Sequence, residues 1–132
     1  MDASQSRRVL RVFLVDDAAP VRRRVAMLLG GIAGVAIVGE AEDGDSALTA
    51  ILAQHADVAV IDLRLAAGSG LELIAALRSV QARVVKIVLT NHSGPAFEQA
   101  CRSAGADFFF DKTAEFEAVH RTIAAMALTI GQ

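Results

Sequence analysis

The stretch Leu10-Arg11-Val12-Phe13-Leu14-Val15-Asp16-Asp17 decides the fold, because a short apolar run ends there in two adjacent carboxylates. Three later stretches repeat this arrangement of an apolar run with a polar residue behind it. The later runs are 56–61, 84–89 and 107–110, and the polar residues behind them are Asp62, Thr90 and Lys112. Short apolar runs that are separated by helical patterns predict the strands of a parallel sheet.

Helical patterns fill the stretches between these runs. After the first run, Pro20 suits a first helical turn, and apolar residues then recur at helical spacing as far as Ile32. Val35-Ala36-Ile37-Val38-Gly39 predicts a further strand, and Asp43 to Ser46 predicts a turn and helix cap. The order is therefore βαβαβαβαβα, with helical, right-handed crossovers. This order predicts an α/β doubly wound domain, and periodicity alone does not give its strand order.

Length and composition narrow the class of protein. The chain has 132 residues, 54% hydrophobic residues, a net charge of -2 and a single cysteine, Cys101. These values predict one domain without a disulfide framework or a thiol-based zinc site. We assign residues 1–8 to an N-terminal extension and residues 9–130 to the domain. Neither a signal peptide nor an apolar run long enough to cross a membrane is recognisable, so we expect a cytoplasmic protein with no membrane insertion. The net charge of -2 gives no electrostatic reason for nucleic-acid binding, so we expect no direct nucleic-acid contact.

The polar residues behind the strands predict a phosphorylation site. Ligands of open parallel sheets bind at the carboxyl ends of the strands, so these side chains should converge. Carboxylates as close as Asp16, Asp17 and Asp62 would repel one another without a cation, and magnesium prefers such hard oxygen ligands. Beside magnesium, Asp62 could attack a phosphoryl group. The Thr90 hydroxyl and the Lys112 ammonium are suitable donors to the phosphoryl oxygens.

Each of these residues also has an ordinary structural interpretation. A single aspartate at a strand end is more often a solvated loop residue or a helix cap, and the Asp16-Asp17 pair would suit the start of a helix. Four such positions behind separate strands of one sheet favour a functional site.

The site residues carry a resemblance to the receiver domains of two-component response regulators, which extends over residues 9–129. The matching pieces are Phe13-Leu14-Val15-Asp16-Asp17, Val60-Ile61-Asp62-Leu63, Gly70-Leu71-Glu72-Leu73, Val88-Leu89-Thr90 and Phe109-Phe110-Asp111-Lys112. The resemblance implies a flavodoxin-like, five-stranded parallel sheet in the order 2-1-3-4-5, with helices on both faces. It also implies that Asp62 accepts a phosphoryl group from a phosphohistidine on a sensor histidine kinase or a phosphotransfer protein.

The resemblance further implies a role for each site residue. Asp16, Asp17 and Asp62 would hold Mg²⁺ together with the backbone carbonyl of Arg64, while Thr90 and Lys112 would contact the phosphoryl oxygens. Thr90 and Phe109 would form the switch. An ordinary core position is an equally good interpretation of Phe109. The downstream protein target would bind the face made by the fourth helix, the fifth strand and the fifth helix.

Several positions depart from the usual receiver pattern. Ala66 replaces a common proline, Thr113 stands where many receivers have proline, and Asn91 is bulkier than the usual small residue. None of these departures removes a chemical group that the site needs. Arg64 and His92 each lie two residues beyond a site residue, so we predict that their side chains form a rim around the phosphoryl group and shield it from water.

Two alternatives from other classes stay open at this stage. An aspartate-nucleophile phosphatase would carry a second aspartate two residues beyond the nucleophile, where this chain has Arg64. A receiver-like module that binds a partner without phosphorylation is disfavoured by the complete acidic set. We expect a stand-alone receiver, because only two residues follow the last predicted helix. We expect no enzymatic activity other than its own phosphorylation and dephosphorylation.

Arg22, Arg23 and Arg24 are interpreted as a solvated face.

Overall fold

Five strands alternate with five helices in the computed structural model, which describes residues 8–92 and 94–130. The strands are β1 (Leu10–Val15), β2 (Val35–Ala41), β3 (Val58–Ile61), β4 (Val85–Thr90) and β5 (Phe108–Asp111). The helices are α1 (Ala19–Gly30), α2 (Gly44–Ala53), α3 (Gly70–Ser79), α4 (Pro95–Ala104) and α5 (Phe116–Ile130). The predicted alternation is confirmed. Except for Arg8, the predicted N-terminal extension lies outside the described residues.

The five strands form one parallel sheet in the order β2-β1-β3-β4-β5, so the fold class implied by the resemblance is confirmed. Each face of the sheet carries its own apolar core. Buried residues of α2, α3 and α4 pack on one face, and buried residues of α1 and α5 pack on the other. The central strands β1, β3 and β4 are covered on both sides, which explains why their sequences are nearly continuous apolar runs.

Three strands begin later than the apolar runs predict. β3 begins at Val58 rather than at residue 56, β4 at Val85 rather than at residue 84, and β5 at Phe108 rather than at residue 107. The residue before β3 and the residue before β5 are aspartates whose side chains bind a backbone amide. Asp57 Oδ2 accepts from the Arg11 N–H at 2.8 Å, and Asp107 Oδ2 accepts from the Lys86 N–H at 2.8 Å. These carboxylates satisfy amides of the neighbouring strand at the amino-terminal edge of the sheet.

Two of the helices, α2 and α3, begin behind polar residues that cap them. The Asp43 side chain accepts from the Ser46 N–H at 2.8 Å, as the predicted cap requires. Ser69 caps α3 in the same way, accepting from the Glu72 N–H at 3.1 Å.

The helix α4 packs less closely on the sheet than the other helices do: Cys101 is its only buried residue, and Phe97 is 49% exposed. α4 therefore contributes far less to the core than α3 does.

The helices of the described part of the chain are short. The longest, α5, has 15 residues. A helix needs about 20 apolar residues to cross a bilayer. Among residues 8–92 and 94–130, no helix combines the length and the apolar character that a membrane span requires.

Candidate functional site

Lys112 links the ends of two strands that are distant in sequence. Its Nζ donates to Asp16 Oδ2 at 2.7 Å and to Asp62 Oδ2 at 2.9 Å, across sequence separations of 96 and 50 residues. Asp16 follows β1, Asp62 follows β3, and Lys112 follows β5. Parallel strands end at the same edge of the sheet, and for this reason the three side chains meet.

This lysine lies in a largely buried, negatively charged environment. Asp16 and Asp62 are each 7% exposed. Burial by itself lowers the pKa of the Lys112 ammonium, but the hydrogen bonds to Asp16 and Asp62 and the charges of both carboxylates outweigh it, so that the pKa is raised. Lys112 therefore keeps its positive charge at neutral pH and offsets part of the negative charge of the two carboxylates.

Three carboxylates at this edge could hold a metal ion. Oxygens of Asp16, Asp17 and Asp62 lie within 4.8 Å of one another, and Asp17 is exposed to solvent. Asp62 Oδ1 is buried, and no donor among the described residues hydrogen bonds to it. A buried carboxylate oxygen is costly without a partner, and a hard cation would supply one. The donor set therefore fits Mg²⁺.

Backbone hydrogen bonds hold the two buried carboxylates in place. The Asp16 N–H donates to the Ala41 carbonyl of β2 at 3.1 Å, and the Asp62 N–H donates to the Val15 carbonyl of β1 at 2.9 Å. Asp16 Oδ1 also accepts from the Ala18 N–H at 2.9 Å, at the start of α1. Both aspartates thus continue the hydrogen-bond ladder of the sheet while their side chains point beyond it.

Gly70 allows α3 to begin directly against the Asp62 backbone. Its N–H donates to the Leu63 carbonyl at 2.9 Å. A Cβ atom at this position would lie 2.1 Å from the Asp62 carbonyl oxygen and 2.9 Å from Cγ2 of Ile61. Only glycine permits such an approach. This contact was not predicted from the sequence, where a glycine at the start of a helix is the only signal for it.

Thr90 ends β4 and is completely buried. Its Oγ1 accepts from the His92 N–H at 3.1 Å, and its carbonyl accepts from the Lys112 N–H at 2.8 Å. Among the described residues, no acceptor binds the hydroxyl proton of Thr90, so this proton is available for donation. The backbone carbonyl of Thr90 holds the lysine in place.

Phe109 is a core residue, 9% exposed, and shares one apolar cluster with Val88 and Cys101. Alternate residues of a strand face the same side of a sheet, so Thr90 and Val88 of β4 face the same side as Phe109. Phe108 and Phe110 belong to the cluster on the opposite face. Phe109 thus lies beneath α4, on the side of Thr90, and its role in switching stays a prediction.

Within the part of the chain that the structure describes, the side chains of the predicted rim residues Arg64 and His92 make no hydrogen bond to the site. Arg64 is exposed, and its backbone pairs with Ser69 in an isolated antiparallel bridge. His92 is half-buried, and its ring centroid lies 6.0 Å from that of Phe97 in α4. The rim role of both side chains stays a prediction, as does the Arg64 carbonyl as a metal ligand.

Arg22 contradicts the interpretation of the arginine cluster as a solvated face. Its side chain is only 13% exposed, whereas Arg23 is exposed. Arg22 Nη1 donates to the Asp16 carbonyl at 2.6 Å, and its Nε donates to Glu40 Oε1 at 2.9 Å. The sequence signal for this arrangement is the acidic pair Glu40 and Glu42 at the end of β2, the strand beside β1.

The fold and the site define a flavodoxin-like α/β domain with acidic residues and a lysine at the carboxyl edge of its sheet. The family model of the response regulator receiver domain matches residues 12–124 of the chain. The chain belongs to this family, as the resemblance indicated.

Several known response regulators are similar to this chain. The nitrate/nitrite response regulator protein NarP of Escherichia coli is 34% identical over 119 residues, which cover 89% of this chain and 54% of NarP. The structure of the signal receiver domain of NarL from Mycobacterium tuberculosis has a TM-score of 0.84 at 30% identity and covers 92% of this chain and 98% of that domain. A two-component response regulator of the LuxR family from Aurantimonas also has a TM-score of 0.84, at 28% identity, with coverage of 92% and 86%. The chain spans about half the length of the curated relatives it matches.

Proposed function

We propose that the protein is a phosphorylation-controlled signalling switch that accepts a phosphoryl group on Asp62 from the phosphohistidine of a sensor histidine kinase or a phosphotransfer protein. The single observation that carries the proposal is the convergence of Asp16, Asp62 and Lys112 at one edge of the sheet, with one Asp62 oxygen bound to the lysine and the other without a donor among the described residues.

The proposed reaction forms one bond and breaks one bond. An Asp62 carboxylate oxygen attacks phosphorus, the P–N bond to the donor imidazole breaks, and its electron pair returns to the imidazole nitrogen. Catalysis depends mainly on positioning and on neutralising the phosphoryl oxygens. The Lys112 ammonium lies 2.9 Å from the Asp62 carboxylate and would contact one of these oxygens. When bound, Mg²⁺ would neutralise negative charge on the phosphoryl group, and Asp16, Asp17 and Asp62 are the residues that would hold it.

The proposed switch connects Thr90 to Phe109. The Thr90 hydroxyl would turn toward a phosphoryl oxygen, and Phe109 would enter the space that this movement opens under α4. Both residues lie on the same side of the sheet, and α4 buries only Cys101. A weakly attached helix over the switch residues favours a shift between two existing arrangements.

The output is proposed to be a protein contact on the face of α4, β5 and α5. Phe97 on α4 is 49% exposed, so this helix offers an apolar side chain that a partner could contact. On this proposal the protein is cytoplasmic, catalyses only its own phosphorylation and dephosphorylation, and binds no nucleic acid directly through this domain.

Intact-mass measurement with acetyl phosphate tests the proposal. We expect one phosphoryl group on the wild-type protein with Mg²⁺, none with EDTA, and none on Asp62→Asn, which keeps the shape and removes the nucleophile. Asp57→Asn is the matched control, because Asp57 directly precedes β3 and Asp62 directly follows it. Equal incorporation by Asp62→Asn, or by the wild type in EDTA, defeats the assignment.

Coupling is tested separately with Thr90→Ala. This variant should still accept phosphate, since the nucleophile and Lys112 remain, but it should transmit the modification poorly. Amide chemical shifts of α4 and α5 are compared with and without beryllofluoride. A response equal to that of the wild type would remove Thr90 from the switch.

A further inference from the structure

Arg22 makes contacts that the proposed phosphoryl-transfer chemistry does not use. Its guanidinium bridges two strands: Nη1 donates to the Asp16 carbonyl at the end of β1, and Nε donates to Glu40 on β2. A second carboxylate, Glu42, lies 3.5 Å from Nη1. The Arg22 side chain is 13% exposed, so this arginine is better shielded from water than Arg23 and Arg24, which are exposed.

The carbonyl that Arg22 binds belongs to the peptide between the two adjacent carboxylates. The peptide unit is planar, so fixing the Asp16 carbonyl also fixes the N–H and the Cα of Asp17. Asp16 is held through its side chain by Lys112 and Ala18. Asp17 makes no side-chain hydrogen bond among the described residues, and the carbonyl contact of Arg22 is one way in which a neighbouring element holds its backbone in place.

We propose that Arg22 is a positioning residue for the magnesium site: it fixes the Asp16–Asp17 peptide so that both carboxylates face the ion, while Glu40 orients the guanidinium. The inference rests on the proposed function, because it assumes that these carboxylates bind Mg²⁺. The planar guanidinium suits this task, since it holds two acceptors at fixed angles through separate N–H groups.

A purely electrostatic role makes the opposite prediction. A positive charge near a cation site weakens cation binding, so its removal should tighten Mg²⁺ binding if charge alone matters. If Arg22 positions the ligands, its removal should weaken binding despite the more favourable charge. The sign of the change therefore separates the two roles.

The experiment is a Mg²⁺ titration of the full chain, followed by isothermal calorimetry or amide chemical shifts. For Arg22→Gln we expect the dissociation constant to rise about tenfold, as is common when a group that orients metal ligands is lost. Arg22→Lys keeps the charge and the aliphatic stem but lacks the planar fork, and should show a similar rise. Arg23→Gln, on the exposed neighbour, should leave the constant unchanged.

Three results would overturn the proposal that Arg22 positions the magnesium ligands. An unchanged or lower dissociation constant in Arg22→Gln overturns positioning, and so does an unchanged constant in Arg22→Lys, which also decides the question if Arg22→Gln does not fold. An equal rise in Arg23→Gln overturns it as well, because the effect would then be general. Wild-type protein that binds no Mg²⁺ would instead refute the proposed function itself, so the two failures are distinguishable.

Discussion

The two edges of the sheet use the same kinds of charged side chain in opposite ways. At the amino-terminal edge, Asp57 and Asp107 each accept a backbone N–H of the neighbouring strand at 2.8 Å. At the carboxyl edge, Asp16 and Asp62 share the ammonium of Lys112, and Asp62 Oδ1 has no donor among the described residues. The carboxylates at the first edge pair with backbone amides, whereas those at the second edge keep negative charge that a bound cation would offset.

This difference has an energetic meaning. A carboxylate that binds a backbone amide stabilises the folded state, while like charges held close together oppose folding. We therefore expect substitutions at the amino-terminal edge to cost stability regardless of magnesium, and those at the carboxyl edge to depend on it. The following predictions test this contrast, beginning with the largest expected effect.

Gly70→Ala should cause the largest loss of stability. The added Cβ would lie 2.1 Å from the Asp62 carbonyl oxygen, which belongs to the backbone and cannot move without displacing the strand end. We expect a loss of about 3 kcal/mol in the free energy of unfolding, and slower phosphorylation of the protein that remains folded. Urea denaturation measures the first effect and a time course with acetyl phosphate the second.

Gly30→Ala is the control for this prediction. A Cβ at Gly30 would meet no atom within 4 Å. The free energy of unfolding of the Gly30→Ala variant should be unchanged or slightly higher than that of the wild type. Equal denaturation midpoints for the two alanine variants would show that the close approach of Gly70 to Asp62 does not constrain the site.

Lys112→Met should destabilise the protein by about 2 kcal/mol in EDTA, because two buried carboxylates lose their common donor. The loss should depend on pH. The folded-state pKa of Lys112 is raised above its ordinary value of 10.5, so the stability that it contributes is present below pH 10.5 and is lost as the pH rises through the folded-state pKa. Urea denaturation of both proteins should thus give a difference that is constant near neutral pH and shrinks above pH 10.5. A difference that grows with pH would contradict the assigned direction.

Asp17→Asn should stabilise the protein in EDTA by about 1 kcal/mol, since it removes one of three close negative charges at the carboxyl edge. Asp57→Ala at the opposite edge should instead lose about 1 kcal/mol, because the Arg11 N–H loses its acceptor. Saturating Mg²⁺ should reverse the advantage of Asp17→Asn, since the wild type then gains binding energy. Effects of the same sign in EDTA would mean that the two edges do not differ as described.

The smallest expected effects concern the lifetime of the aspartyl-phosphate. Arg64→Ala and His92→Ala should each shorten it a few-fold, if both side chains obstruct the approach of water to the phosphorus atom and pair with the phosphoryl oxygens. A decay assay in Mg²⁺ at constant pH measures this, with Arg23→Ala as the control. A longer lifetime in His92→Ala would mean that the imidazole acts as a general base for hydrolysis instead.

The order of elements and the convergence of Asp16, Asp62 and Lys112 could be predicted because both depend on local features. Apolar runs mark strands, and a residue behind a parallel strand lies at the edge where ligands bind. Asp16, Asp62 and Lys112 meet for this reason alone. Strand boundaries were less accurate, since Asp57 and Asp107 resemble strand residues until the amides that their side chains bind are known.

What the sequence by itself determined is therefore the alternation of strands and helices and the set of polar groups at one edge of the sheet. Only the tertiary structure decided which of three consecutive arginines reaches the site, because that depends on the placement of α1 beside the Glu40 carboxylate of β2. It also decided that Gly70 touches the Asp62 backbone and that Phe109 faces α4, whereas its two neighbours face the opposite core. These contacts join neighbouring elements, and their distances depend on how each helix packs on the sheet, which the pattern of apolar residues along the chain does not give.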